Sequence, residues 1–237
     1  MRYRLGNIRK NYDEVKVLDG LDLEFDEKDL VVILGPSGCG KTSLLKIVAG
    51  LDEAFLGARE GFEGCRFSFV FQEPRLLPWA SALKNALFAL SGSGMSDDQA
   101  LARIHPLLLA AGLAGYGDYR PSELSGGMRQ RVSLVRAFAY PADFMLLDEA
   151  FQSVDIRLKR ELMRVFLELR QLEDRTAILV THDPNEALWL ADRVVVLSPA
   201  PARVLDDFRI DVDRRDRAPG SLSMGKHEAR IYTSLLS

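Results

Sequence analysis

The sequence predicts an α/β fold. Parallel strands and helices form a core around a phosphate-binding loop (a P-loop NTPase core), with a small N-terminal antiparallel β subdomain and a helical subdomain inserted into the core. Three observations carry this. Short apolar runs recur along the chain with helical patterns between several of them, as in a parallel sheet. One of these runs, Val31-Val32-Ile33-Leu34, leads straight into Gly35-Pro36-Ser37-Gly38-Cys39-Gly40-Lys41-Thr42, which has the full spacing of a nucleotide phosphate loop. Ahead of it, two segments alternate apolar and polar residues as antiparallel strands do.

Those two segments, Arg2 to Arg9 and Val15 to Phe25, lie around Tyr12-Asp13-Glu14. Leu30 to Leu34 is the first buried strand, and Lys41 to Ala49 continues from the loop as a helix that Gly50 ends. Phe67 to Phe71, Phe144 to Leu147, Ala177 to Val180 and Val194 to Leu197 are the other apolar strands. From Ala80 to Ser122 the pattern turns helical, with Ser91-Gly92-Ser93-Gly94 as a break and Asp97-Asp98 opening the next helix. The inserted helical subdomain is expected over about 80–140.

The strongest helix is Ile156 to Leu172. Leu158, Leu162, Val165, Phe166, Leu169 and Leu172 keep one face apolar, while Arg157, Lys159, Arg160, Arg164 and Arg170 read as a solvated basic face. After Ser198, Asp206-Asp207-Phe208 and Asp211 to Arg217 read as a solvated mixed-charge extension over about 199–237, with a terminal helix from Glu228 to Leu236. The chain, 1–237, is expected to be a single domain.

Composition narrows the function classes. Lys and Arg (31) nearly balance Asp and Glu (34), so no overall basic field argues for nucleic acid or an anionic membrane surface. Cys39 and Cys65 form no regular framework, and a disulfide inside the phosphate loop would obstruct it, so both are expected as reduced thiols of a cytosolic protein. Met1 to Asn7 lacks the apolar stretch of a signal peptide. The longest apolar runs, Leu30 to Leu34 and Pro106 to Ala114, fall far short of the roughly 20 residues that cross a bilayer. A membrane role has to come through a partner.

The chemistry concentrates at strand ends. Glycines let backbone N–H groups between Gly35 and Gly40, Pro36 excepted, turn inward around phosphate oxygens, Lys41 supplies a charge to the β- and γ-phosphates, and the Thr42 hydroxyl can ligate Mg²⁺ with Ser43 as its neighbour. Phe144 to Leu147 ends in Asp148, a carboxylate suited to Mg²⁺, and Glu149, which can accept a proton from an attacking water. His182 follows another apolar strand and reads either as a γ-phosphate contact or as a structural histidine. His105 and His227 read as structural. A second glycine-rich segment, Leu124-Ser125-Gly126-Gly127-Met128-Arg129-Gln130, opens a predicted helix at Ser125 and offers a second anion contact. One nucleotide needs a single such loop, so the second suggests a nucleotide held by another copy.

Together these residues resemble the ATP-binding subunit of an ATP-binding cassette (ABC) transporter, from about Tyr3 to Ala200. The second glycine segment, Leu124 to Gln130, is similar to the family's signature, Phe71-Gln72-Glu73-Pro74 to its Q-loop, Ser153-Val154-Asp155 to its D-loop, and His182 to its switch histidine. Tyr12 sits where the family has an aromatic that stacks on adenine; from the residues alone it reads as a turn or core tyrosine. The resemblance implies two cassettes that sandwich two ATP molecules head to tail. Lys41, Thr42, Gln72, Asp148, Glu149 and His182 would then serve the ATP of their own chain, with Mg²⁺ at Thr42, Gln72 and Asp148, while Ser125, Gly126 and Gly127 serve the partner's. It also implies a peripheral protein on the cytoplasmic face of the membrane, coupled through the Gln72 segment to a transmembrane permease.

Glu73 to Trp79, with Leu124 to Arg131, resembles importers of the nitrate, sulfonate and taurine group, which work with a solute-binding protein. Trp79 then lies in the groove that receives the permease's coupling helix; from the residues alone it reads equally as local packing. The alternative is a soluble cassette ATPase acting on nucleic acid or the ribosome, but such proteins usually carry tandem cassettes or a long coiled coil, and this chain shows one cassette and no heptad run. The chain departs from the family in three places. The stretch between Lys41 and Gln72 is short, so Ala54 to Gly64 is expected to be a trimmed loop. Ala150 replaces a frequent proline, and Gln152-Ser153-Val154-Asp155 varies the D-loop.

Overall fold

A computed structural model of the chain describes residues 2–152, 154–217 and 221–236. Ser153 of the expected D-loop, and 218–220 and 237 of the expected extension, lie outside the described residues. The chain divides into two units, Met1–Cys65 with Thr176–Ser237, and Arg66–Arg175.

In the first unit, β1 (Arg2–Tyr12) and β2 (Val15–Asp26) pair antiparallel, the hairpin that the alternation predicts. Asp13 turns the chain at φ 50°, a region that aspartate tolerates. β4 (Leu56–Glu60) pairs with the other side of β1 and completes a three-stranded sheet in the order β2-β1-β4. The expectation of a trimmed loop over 54–64 is therefore corrected. Leu56-Gly57-Ala58-Arg59-Glu60 has no apolar alternation because it is an edge strand with little buried surface, and its existence depends on β1 rather than on its own pattern.

The same unit holds β3 (Leu30–Leu34) between β7 (Thr176–Thr181) and β8 (Arg193–Leu197), all parallel. The five residues of β3 are fully buried, which explains why the run reads as continuously apolar. α1 (Lys41–Val48) buries Leu44, Leu45, Ile47 and Val48, each worth about 1.5–3 kcal/mol on burial, and ends before Gly50 at φ 70°. α6 (Pro184–Leu190) is capped by Asp183.

Beyond β8 the expected solvated extension is a further correction. β9 (Val204–Arg209) adds antiparallel to β8, so Asp206-Asp207-Phe208 lies in a strand. The acids that suggested solvation are taken up by cations: Asp207 pairs with Arg193, and Asp206 receives both arms of Arg230 at 2.7 Å. α7 (Leu222–Leu236) begins before the expected Glu228. His227, expected to be structural, is buried, stacks on Phe208 at 5.9 Å and meets Asp211 at 2.6 Å.

The second unit pairs β5 (Phe67–Phe71) with β6 (Phe144–Asp148) in parallel and carries the α-helices α2 (Ala82–Phe88), α3 (Asp97–Ala110), α4 (Gly126–Ala139) and α5 (Ile156–Leu172). α3 starts with a capping box, Ser96 accepting from the Gln99 N–H while Gln99 accepts from the Ser96 N–H. α5 has the bounds that its apolar stripe predicts, with Asp155 capping it through the Leu158 N–H at 3.0 Å. Phe138, Phe151 and Phe166 form an aromatic cluster at 5.8 Å centroid spacing under α4 and α5.

Candidate functional site

In the first unit, β3 delivers the phosphate loop and β7 delivers His182 at the same edge. Leu34 pairs with Thr181, and the Gly35 N–H donates to the Thr181 carbonyl at 3.2 Å, so His182 leaves the sheet beside the start of the loop. His182 is exposed there. Ser37 and Gly38 are exposed while Gly35 and Cys39 are buried, which gives the loop one open side. Gly40 caps α1 at φ 101°, a conformation costly for any residue with a side chain. Its missing Cβ also matters, since one would lie 2.6 Å from Val17 Cγ1 and 2.7 Å from Leu18 Cδ2.

Lys41 is only 4% exposed, and its Nζ donates to the carbonyls of Gly35 at 2.9 Å and Pro36 at 2.8 Å. A buried ammonium is tolerable only with such partners. They fold the side chain back along the loop, with the charge held against its first two residues. Thr42 is exposed in the first turn of α1, and Ser43 is half-buried. Ser43 Oγ lies 3.0 Å from the Tyr12 hydroxyl, so it braces the tyrosine.

Tyr12 is 45% exposed, which rules out the core reading. Lys10, on the same face of β1 two residues earlier, lies 4.8 Å from the ring centroid and is itself buried, donating to Asp52 Oδ1 at 2.8 Å and to the Ala54 carbonyl at 2.8 Å. The Lys10 hydrogen bond holds the Asp52 carboxyl below its ordinary range. Lys10 and Asp52 were not singled out by sequence reasoning; the period-2 spacing of Lys10 and Tyr12 was the available signal.

In the second unit, Phe71 and Asp148 are opposite each other in adjacent parallel strands. Gln72 and Glu149 therefore leave the sheet side by side, at the strand ends where open α/β sheets bind ligands. Asp148 and Glu149 are half-buried, and Gln72 is exposed. Glu149 has φ 48°, an uncommon conformation for a residue of its kind, stabilised by the Gln152 N–H donating to its carbonyl at 3.1 Å.

The signature segment opens α4 as expected. Ser125 caps the helix through the Met128 N–H at 3.2 Å, and Ser125 and Gly126 are exposed. Leu124 is buried, and Arg129 donates to its carbonyl at 2.7 Å, while Met128 is half-buried. Gly127 is buried for a packing reason, because a Cβ there would lie 2.6 Å from Leu158 Cδ1 on α5. Gln130, the last residue of the segment similar to the signature, does not share that exposed face: it is 4% exposed and donates inward to the carbonyls of Phe71 at 3.1 Å and Ala150 at 2.7 Å. The helical turn carries it away from the face that Ser125 and Gly126 present. Asp155 is exposed at the start of α5, where its carboxylate serves as the helix cap.

Trp79 is 72% exposed, so the local-packing reading fails. With Leu77, Leu87, Phe88, Leu90 and Met95 it lines a groove of about 570 Å³. Buried Asn85 shapes the loop that presents it, accepting from the Leu77 N–H at 2.8 Å and donating to the Ala80 and Ser81 carbonyls at 3.0 Å. Among the described residues no group of three or more His, Cys, Asp or Glu forms a metal cluster. The Thr42 hydroxyl in the first unit and the Asp148 carboxylate in the second are each hard oxygen donors of the kind that Mg²⁺ takes.

A family model described as "ABC transporter" matches residues 18–152. The chain is 41% identical over 222 residues to the aliphatic sulfonates import ATP-binding protein SsuB 2 of Burkholderia cenocepacia, covering 91% of this chain and 81% of that protein. Among solved structures it is similar to a dimeric bacterial ABC transporter cassette, with TM-score 0.75 and 27% identity over 90% of this chain and 100% of the other. A second dimeric structure, titled as a post-hydrolysis state of an ATP-binding cassette bound to ADP and Pi, aligns with TM-score 0.73 and 26% identity over the same shares.

Proposed function

The chain belongs to the ABC transporter family, and from that premise we propose that its ATP hydrolysis drives import of a small sulfonate-type anion through a separate permease. As a member of the family it binds ATP with Mg²⁺, hydrolyses it, and acts with a second cassette. The residues take the following roles. Lys41 and the loop N–H groups bind the β- and γ-phosphates, Tyr12 stacks on adenine, and Thr42, Gln72 and Asp148 hold the ion. Bound Mg²⁺ offsets charge on the phosphate oxygens. Glu149 accepts the proton of the attacking water as its oxygen bonds to the γ-phosphorus and ADP leaves, and His182 steadies the γ-phosphate. Ser125 and Gly126 meet the nucleotide of the partner cassette. The chain works as one cassette over 1–237, with its helical subdomain at about 80–140.

The observation that carries the transport reading is Trp79, a large aromatic left exposed on a loop fastened by Asn85 and lining a groove that mixes apolar residues with Lys84 and Asp97. An exposed tryptophan beside a concave surface is the kind of anchor that protein interfaces use. A permease segment suits it and brings the chain to the membrane's cytoplasmic face; no helix of the described residues is long and apolar enough to cross a membrane. The sulfonate class rests on the likeness to the sulfonate import protein. The test is capture of the chain with a sulfonate-type permease in detergent, then ATP-dependent uptake of a labelled alkanesulfonate into vesicles containing both with a solute-binding protein. Capture that is lost in Trp79→Ala supports the reading. Recovery of the wild-type chain with ribosomes or nucleic acid, and with no permease, overturns it.

A further inference from the structure

We infer that Gln130 and Arg136, both on α4, are positioning residues that fasten the Gln72 and Glu149 segments to the helix carrying the signature. The inference rests on the ATPase reading above and adds to it a mechanical link between the surface offered to a partner cassette and the chain's own reacting groups.

Gln130 Nε2 donates to two carbonyls that flank the reactive side chains: that of Phe71, immediately before Gln72, and that of Ala150, immediately after Glu149. Arg136, further along α4, donates from Nη1 to the Arg75 carbonyl at 2.7 Å and from Nη2 to the Pro74 carbonyl at 2.9 Å. The stretch from Gln72 to Glu73 is thus held at both ends by one helix, at points about 9 Å apart along its axis. A rigid helix moves such a segment as part of itself.

Two further observations point away from a role in stability alone. Gln130 Oε1 is buried and has no hydrogen-bond partner among the described residues, a desolvation cost that an apolar residue would avoid. The tied segments also hold non-glycine residues at positive φ, Arg75 at 45° and Glu149 at 48°, conformations that persist only where the surroundings over-determine them. Gln130 grips the carbonyl of Ala150, the residue after Glu149, and Arg136 grips Arg75 itself, whose guanidinium lies 4.0 Å from the Phe71 ring centroid. Burial draws the Arg136 pKa down from its usual value, consistent with a guanidinium placed for its geometry. A shift of α4 by a partner's nucleotide at Ser125 would be felt at Gln72 and Glu149 through these four bonds.

The test is steady-state ATP hydrolysis by the full chain, with melting curves for every variant. Turnover by wild type and its loss in Glu149→Gln are the controls on the ATPase reading; an inactive wild type overturns that reading and not the tie alone. Gln130→Met keeps the length and removes the donor. It should lower kcat by about 10- to 100-fold while KM for ATP stays within about threefold, since Lys41 and Tyr12 have other partners. Arg136→Lys, which keeps the charge but not the two-armed reach, should retain more kcat than Arg136→Met. The double Met variant should lose less than the product of the single losses, because both residues hold one segment. The proposal is overturned by Gln130→Met turning over within twofold of wild type, by a rise in KM with kcat intact, or by single losses that multiply. Should Gln130→Met fail to fold, equal kcat for Arg136→Lys and Arg136→Met overturns it.

Discussion

Gly40→Ala is expected to cost about 2–5 kcal/mol of stability, the sum of a backbone and a packing penalty. The backbone term arises because Gly40 sits at φ 101°, where an L side chain meets the following carbonyl, at about 1–2 kcal/mol. The packing term arises because the added Cβ would come within 2.6 Å of Val17 Cγ1 and 2.7 Å of Leu18 Cδ2. Leu18 is fully buried and cannot move aside, so overpacking adds about 1–3 kcal/mol. For a chain of this size the sum lowers the melting temperature by about 4–20 °C. Gly38→Ala separates the terms: it has φ 78° but nothing within 4 Å of its Cβ, so it should lose only about 1–2 kcal/mol. Both variants are compared by urea unfolding without nucleotide, because ATP binding would shift the equilibrium by mass action. Equal losses in the two would refute the packing argument, and a loss below about 0.5 kcal/mol in Gly38→Ala would refute the backbone one.

Lys41→Ala should weaken ATP binding by about 10- to 150-fold, the worth of one charge-assisted hydrogen bond, and an unchanged Kd by calorimetry would contradict the phosphate-loop assignment. Glu149→Gln should cut turnover by about 10²- to 10⁴-fold while ATP still binds and holds a dimer on size exclusion; near-normal hydrolysis would remove Glu149 as the base. The hydrogen bond from Arg230 holds the Asp206 carboxyl below its ordinary range. A depressed folded pKa means that the tie between β9 and α7 contributes above the ordinary carboxylate value of about 3.9 and is lost as pH falls through the lower folded value. Asp206→Asn should therefore speed amide exchange in α7 at neutral pH, and exchange as slow as wild type would show that the pair does not hold the helix.

Where a signal is local, the elements were legible in the chain. Leu30–Leu34 and Phe67–Phe71 have the bounds that their apolar runs predict, and Ile156–Leu172 those of its apolar stripe and Asp155 cap. The strand, glycine-rich loop and helix from Leu30 to Val48 were legible for the same reason, since they are contiguous in the chain. β4 and β9 were not, because each is an outer strand whose residues are justified by a neighbour: Leu56 to Glu60 by pairing with β1, and Asp207 by the Arg193 guanidinium that reaches it diagonally from β8. An acidic pair with no visible counter-charge reads as solvent-exposed until the fold brings the arginines to it.

The chain alone carries the α/β class, the glycine-rich loop with Lys41 and Thr42 between a strand and a helix, the carboxylates at the end of β6, and a helix that opens at Ser125. These follow from spacing along the backbone, which strand and helix geometry convert directly into position. It took the packed fold to turn Gln130 inward to Phe71 and Ala150, to set Gly127 close against Leu158, to bring Ser43 to Tyr12, and to leave Trp79 exposed. Each of these depends on what an element packs against, and residues far apart in the chain supply that surface.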